Sequence, residues 1–255
     1  AGGNGIIKSI DGGSTWNTYP LVDLSNNPIP LSWFYDMHFF DANNGVATGF
    51  ITTGNSEVIF KTSNGGLNWS TVSVYNSGTW PRMLNDISFL NTTTGVAVGT
   101  NGRILRSTNA GASWGSVSSG TTRKIKGVSF ASTTVGVAVG DQVILRTTNG
   151  GTSWALTSVP MYDLESVHFA SATVGYAVGN VILKTIDGGI NWTQISNLSG
   201  SDIYATNVDS AYISNSGVYK TSNTGVFWGT QPSIAPGTYN DIDFLNLNNG
   251  YVVGN

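Results

Sequence analysis

The chain has 255 residues, with 14 acidic and 11 basic side chains, a net charge of −3, 33 Gly, 8 Trp and no Cys. Charged residues make up 10%, against roughly 25% in an average soluble domain, while 40% apolar residues suffice for a core, which excludes general disorder. Without Cys there is no disulfide, thiolate metal site or Cys nucleophile, and the mild acidity offers no field to nucleic acid or an anionic membrane.

In chain order, the first element is Gly2–Lys8, which aligns with Gly99–Arg106, so the chain enters at the end of a strand. Lys8–Trp16 follows, reading basic, Ser, any, Asp, Gly, Gly, any, polar, Trp. This nine-residue pattern recurs at Lys61–Trp69, Arg106–Trp114, Arg146–Trp154, Lys184–Trp192 and Lys220–Trp228. A second element precedes each later copy: Asp36–Gly49, Asp86–Gly99, Gly127–Gly140, Ser166–Gly179 and a degenerate copy near Asp202–Asn215. Its last copy, Asp241–Gly254, has no box after it. Within each, apolar residues alternate as in a strand pair (Ile87 and Phe89, then Val96 and Val98) around a turn at Thr94-Gly95. One repeat is therefore four strands, A to D, with the Asp/Asn-Gly turn joining C and D.

Successive pattern Trp residues lie 36 to 53 positions apart. Four strands in about 40 residues point to propeller blades rather than to solenoid coils. The expected fold is all-β, a single β-propeller domain over residues 1–255 with six four-stranded blades. Gly5–Trp16 would supply outer strands C and D of one blade and Asp241–Gly254 its inner strands A and B, closing the ring. Seven blades are expected if residues are missing from this chain.

The turn has a physical logic. An Asp or Asn side chain accepts backbone N–H groups of its own turn, a Gly takes the conformation closed to other residues, and the Trp buries a large apolar face. Asp11, Trp16, Asn64, Trp69, Asn109, Trp114, Asn149, Trp154, Asp187, Trp192, Asn223 and Trp228 are read as structural residues of these turns. With its Phe…Gly-Val-Ala-Val-Gly companion, the motif resembles the Asp-box of bacterial neuraminidase-repeat propellers, most closely the Ycf48-like photosynthesis-assembly-factor group. The resemblance covers nearly the whole chain and implies a propeller. It implies an assembly factor for a membrane complex as one function, and a sialidase-like glycoside hydrolase as another. Sequence departures are Asn in four of the six turns and only five Arg in all.

Catalytic chemistry has little to stand on. The five Arg do not read as a carboxylate clamp, since Arg106 and Arg146 hold the repeated basic position before a box. Asp36, Asp86 and Asp241 begin inner strands and are the candidate carboxylates for a hydrolase, which needs two of them roughly 5–9.5 Å apart. His38 and His168 share one repeat position and do not make a zinc site, so neither metal nor cofactor is expected. The leading reading is a non-catalytic binding or scaffolding module, secreted, at the cell surface or periplasmic, that recognises a protein or glycan. It is expected neither to enter a membrane nor to bind nucleic acid, and it suits a place in a larger surface assembly. Its binding residues are sought in long connections opposite the box turns: Asn17–Ser32, Phe50–Glu57, Ser70–Arg82 and Gly229–Tyr239. Tyr19, Trp33, Tyr35, Tyr75, Trp80 and Arg82 lie in or beside the first three, outside the box pattern.

Overall fold

Strand alternation in the A and B segments becomes antiparallel pairing in the computed structural model, which describes residues 5–29, 32–51, 56–76, 83–157, 162–232, 234, 237–246 and 249–254. The chain divides into two compact units: Ala1–Gly99 with Leu105–Gly115, and Thr100–Ile104 with Ser116–Asn255.

The first unit opens with a hairpin, β1 (Gly5–Lys8) and β2 (Asn17–Pro20). A four-stranded sheet follows, β3 (Ser32–Phe39), β4 (Gly45–Ile51), β5 (Ser56–Thr62) and β6 (Ser70–Asn76). Most of the next sheet belongs here too: β7 (Leu84–Phe89), β8 (Gly95–Gly99), β9 (Ile104–Ser107) and β10 (Gly115–Val117). Neighbouring residues of β4 serve different cores: Val46 packs with Ile59, Leu84 and Ile87, whereas Ala47 packs with Leu21, Val58, Phe60 and Trp69. A sheet covered on both faces needs an apolar residue at every position, hence the unbroken Gly-Val-Ala-Val-Gly runs.

The second unit repeats this plan with β11 (Ile125–Phe130), β12 (Gly136–Gly140), β13 (Val143–Thr147) and β14 (Ala155–Leu156). Next come β15 (Leu164–Phe169), β16 (Gly175–Gly179), β17 (Ile182–Thr185) and β18 (Thr193–Ser196). The degenerate copy proves a complete blade, β19 (Asp202–Ala205), β20 (Ala211–Ser214), β21 (Val218–Thr221) and β22 (Gly229–Thr230). The chain ends on the hairpin β23 (Tyr239–Asn246) and β24 (Asn249–Gly254).

The described residues thus make five four-stranded sheets and two two-stranded ones. The hairpins β1–β2 and β23–β24 are the two two-stranded sheets, the residues expected to supply the outer and inner strands of one blade. The first D strand also begins after Trp16, at Asn17.

One feature of the inner strands escapes periodicity. Five of them carry a bulge at the same place, leaving Tyr35, Asn85, Lys126, Glu165 and Asn240 as the extra residues. A bulge re-aims the side chain it carries. Lys126 Nζ consequently reaches both Asp141 Oδ1 and Glu165 Oε1 at 2.6 Å. The last Gly of each adjoining B strand lies against the backbone beside the bulge; a Cβ on Gly179 would stand 2.0 Å from the Asp163 carbonyl oxygen.

Candidate functional site

Of the six aromatic and Arg candidates, the structure brings Trp33 and Tyr35 together on β3. Phe34 between them turns inward, 5.4 Å from the Phe60 ring and 5.7 Å from that of Trp69. Trp33 is left 56% exposed. Tyr35 is the bulge residue, half-buried, and its hydroxyl donates to Met83 Sδ at 3.1 Å; burial pushes its pKa up. Tyr19 is half-buried on β2, paired with Ile6. Tyr75 lies on β6 opposite Glu57, its side chain outside the described residues, as are Trp80 and Arg82 altogether.

The long connections are shorter than expected, because strands extend into them. β4 runs to Ile51, β5 starts at Ser56 and β6 takes Ser70–Asn76. Gly229–Tyr239 likewise gives its ends to β22 and β23. The Asn17–Ser32 segment does not stay opposite the box turns. Leu21 is buried, the Val22 carbonyl accepts the Trp69 N–H at 2.9 Å, and Asn68 Nδ2 donates to the Asp23 carbonyl at 2.9 Å. Asp23 closes the segment's own turn by accepting the Ser25 and Asn27 N–H groups. An apolar Leu among polar neighbours had a core to fill, and it draws the segment over the next box.

Each box repeats two bonds. The Ser/Thr hydroxyl accepts the N–H of the second Gly: Ser9 from Gly13 at 2.7 Å, Thr147 from Gly151 at 3.0 Å. The Asp/Asn Oδ1 accepts the N–H four residues on: Asp11 from Thr15 at 2.9 Å, Asn149 from Ser153 at 3.0 Å. Asn serves as well as Asp because one oxygen is enough. The basic residue before the box has a use the sequence did not disclose. It reaches the next repeat's turn: Lys8 Nζ donates to the Gly65 carbonyl at 2.8 Å and Lys61 Nζ to that of Ala110 at 3.0 Å. In the second unit, Arg146 Nε donates to Gly188 O and Lys184 Nζ to Thr224 O, both at 2.8 Å. These are staples between successive blades. Lys184→Met, which keeps the stem and removes the donor, is expected to cost about 1.5–3 kcal/mol in denaturant unfolding. An unchanged midpoint would show the staple to be energetically idle.

The candidate carboxylates are already engaged with one another. Asp36 Oδ2 and Asp86 Oδ1 accept the same Ile87 N–H, at 2.9 and 2.7 Å. Burial first, then the Asp86 carboxyl, holds Asp36 well above the usual carboxylate range. Asp241 is hydrogen-bonded to Asp202, and burial together with that neighbour pushes it up to about 7. Carboxyls in hydrogen-bond contact are too close to flank a glycosidic bond. His168 is stacked 4.3 Å from Tyr204, its Nδ1 accepts the Ala205 N–H at 3.1 Å, and burial lowers its pKa to about 4. The ring is therefore neutral and acts as a strand-to-strand acceptor. His38 is stacked 4.9 Å from Phe89. Among the described residues no three His, Cys, Asp or Glu side chains cluster as metal ligands, and no helix is long and apolar enough to cross a membrane.

A family model described as photosynthesis system II assembly factor YCF48 matches residues 112–253. No curated protein matches the chain. Among solved structures, YCF48 bound to a D1 peptide is 17% identical with a TM-score of 0.74, covering 98% of this chain and 83% of that one. YCF48 from Cyanidioschyzon merolae is 17% identical with a TM-score of 0.69, covering 98% and 85%. An ancestral GH74 enzyme is 16% identical with a TM-score of 0.69, covering 97% of this chain but 40% of that one. These likenesses are of fold, and the fold is an all-β propeller of roughly six blades.

Proposed function

Starting from the chain's membership of the photosynthesis system II assembly factor YCF48 family, we propose that it is a non-catalytic propeller that binds a protein partner and serves assembly of a membrane complex. The 255 residues act as one propeller domain. The partner presents an extended segment, and Trp33, with Tyr35 beside it, receives an aromatic or apolar residue of that segment. The observation that carries this reading is an exposed Trp on an ordered inner strand whose next residue, Phe34, is in the core. A large indole held on a rigid element binds at small entropic cost. Support from outside the chain is the propeller of the same fold in complex with a D1 peptide. The sparse charge and the Ser, Thr and Asn surface favour a compartment outside the cytosol.

The test is fluorescence anisotropy with a labelled D1 peptide, run beside a glycan array. Trp33→Ala is expected to weaken peptide binding at least tenfold, about 1.4 kcal/mol, with the melting curve unchanged. Peptide binding that survives the substitution removes Trp33 from the site. Glycan binding without peptide binding replaces the protein partner with a sugar.

A further inference from the structure

The staple made by Arg146 differs from its Lys counterparts in what it leaves over. Lys61 and Lys184 commit their single amino group to the next turn, whereas Arg146 commits only Nε, to the Gly188 carbonyl at 2.8 Å. Its two Nη nitrogens have no acceptor among the described residues. The Nε bond holds the guanidinium in place, so the remaining donors are set in advance for an acceptor.

Arg146 lines a pocket of about 240 Å³ in the second unit, between the outer strands β13 and β14 and the box turn that joins β17 to β18. Arg146 and Ala155 face one another in the β13–β14 pair, and Trp154 and Ile190 supply apolar walls. Phe130 packs against the Trp154 ring, 6.3 Å between centres. Thr148, exposed, adds a hydroxyl that makes no hydrogen bond among the described residues. No carboxylate answers the charge. None of the lining residues is acidic, and residues 158–161, outside the described set, contain no Asp or Glu. Asp187, beside Gly188, directs its carboxylate to Thr185, Ile190 and Asn191 of its own turn and makes no ion pair with Arg146. The combination belongs to this pair of repeats alone. Arg106 is followed in the next turn by Thr152 where Arg146 is followed by Ile190, and Val226 in the last turn follows a Lys, Lys184.

We propose that this pocket is a second binding site, which takes one glutamate side chain of a protein partner. The carboxylate lies across the two Nη nitrogens of Arg146, and the methylene stem lies between Trp154 and Ile190. Arg presents paired donors in the geometry a carboxylate accepts, and apolar walls keep water from the bond. Asp, one methylene shorter, has less to bury. The size fits a single residue: small-molecule sites run to roughly 300–1,000 Å³ and enclose most of their ligand. A pocket of about 240 Å³ bordered by Thr148 and by Ile190, itself 56% exposed, suits a side chain anchored by the rest of a larger partner. The site rests on the reading of the chain as a protein-binding module, but Trp33 belongs to the first unit and has no part in it.

The experiment is NMR titration of the full chain with two blocked tripeptides, acetyl-Ala-Glu-Ala-amide and its Gln counterpart, following the Trp154 indole N–H and the Ile190 methyl groups. The Glu peptide is expected to shift both signals saturably with a Kd of about 1 mM, and the Gln peptide to bind about tenfold more weakly or worse. Arg146→Lys keeps a donor for Gly188, as Lys184 does for Thr224, and is expected to abolish the preference for Glu with the melting curve unchanged. If that variant fails to fold, the comparison of the two peptides on the wild-type chain decides by itself. Trp33→Ala is expected to leave this titration unchanged, which separates failure of one site from failure of the other. Equal affinities for the two peptides overturn the proposal, as do a Glu preference that Arg146→Lys leaves intact and the absence of saturation up to about 20 mM peptide.

Discussion

Trp69→Ala is expected to cost about 3–5 kcal/mol of folding stability, and Trp16→Ala at the same motif position about 1 kcal/mol or less. Trp69 is fully buried, while Trp16 is 52% exposed. The Trp69 indole Nε1–H donates to the Gly66 carbonyl at 3.0 Å, and Phe39 meets its ring edge-on at 6.2 Å. Leu21 and the backbone of Val22 close over it. Removing this indole leaves a cavity under a segment whose own turn is already closed by Asp23, so collapse recovers little. Urea unfolding of the two variants checks the difference. Equal losses would mean that a box Trp contributes through its hairpin and not through burial.

Gly140→Ala is expected to cost about 3 kcal/mol or more, or to prevent folding, although it adds one methyl group. Its Cβ would stand 2.0 Å from the Lys124 carbonyl oxygen and 2.8 Å from Ile125 Cα. Both obstacles are backbone, and both sit beside the β11 bulge, so no side-chain rotation relieves the overlap. To accept a methyl group, β11 and β12 would have to part where Ile125 and Val139 are buried in the core. Gly217→Ala is the control: nothing lies within 4 Å of its Cβ, and a change within about 0.5 kcal/mol is expected. The same denaturation curve serves both, and matching midpoints would rule out a steric origin for the last Gly of the motif.

The box turn was legible because its interactions are local. Hydroxyl, carboxyl or amide, and glycine lie within five residues, so spacing alone predicts who bonds whom. The staples were half legible: Lys8, Lys61, Arg146 and Lys184 recur in register, but their acceptors lie 40 to 57 residues away. For the candidate site, Trp33 and Tyr35 stood out as aromatics outside the repeat. Nothing in their spacing revealed that Tyr35 occupies a bulge, since a bulge exists only relative to the partner strand.

Repetition and alternation by themselves determined the strand order within each repeat, the turn chemistry and the propeller class, because each depends on neighbours a few residues apart. Only the tertiary structure decided which equivalent residues differ: Trp69 buried and Trp16 exposed, Asp36 in contact with Asp86, and Leu21 pulled onto a neighbouring box. Those outcomes depend on what a residue meets from another blade, and copies of one motif carry no record of their different neighbours.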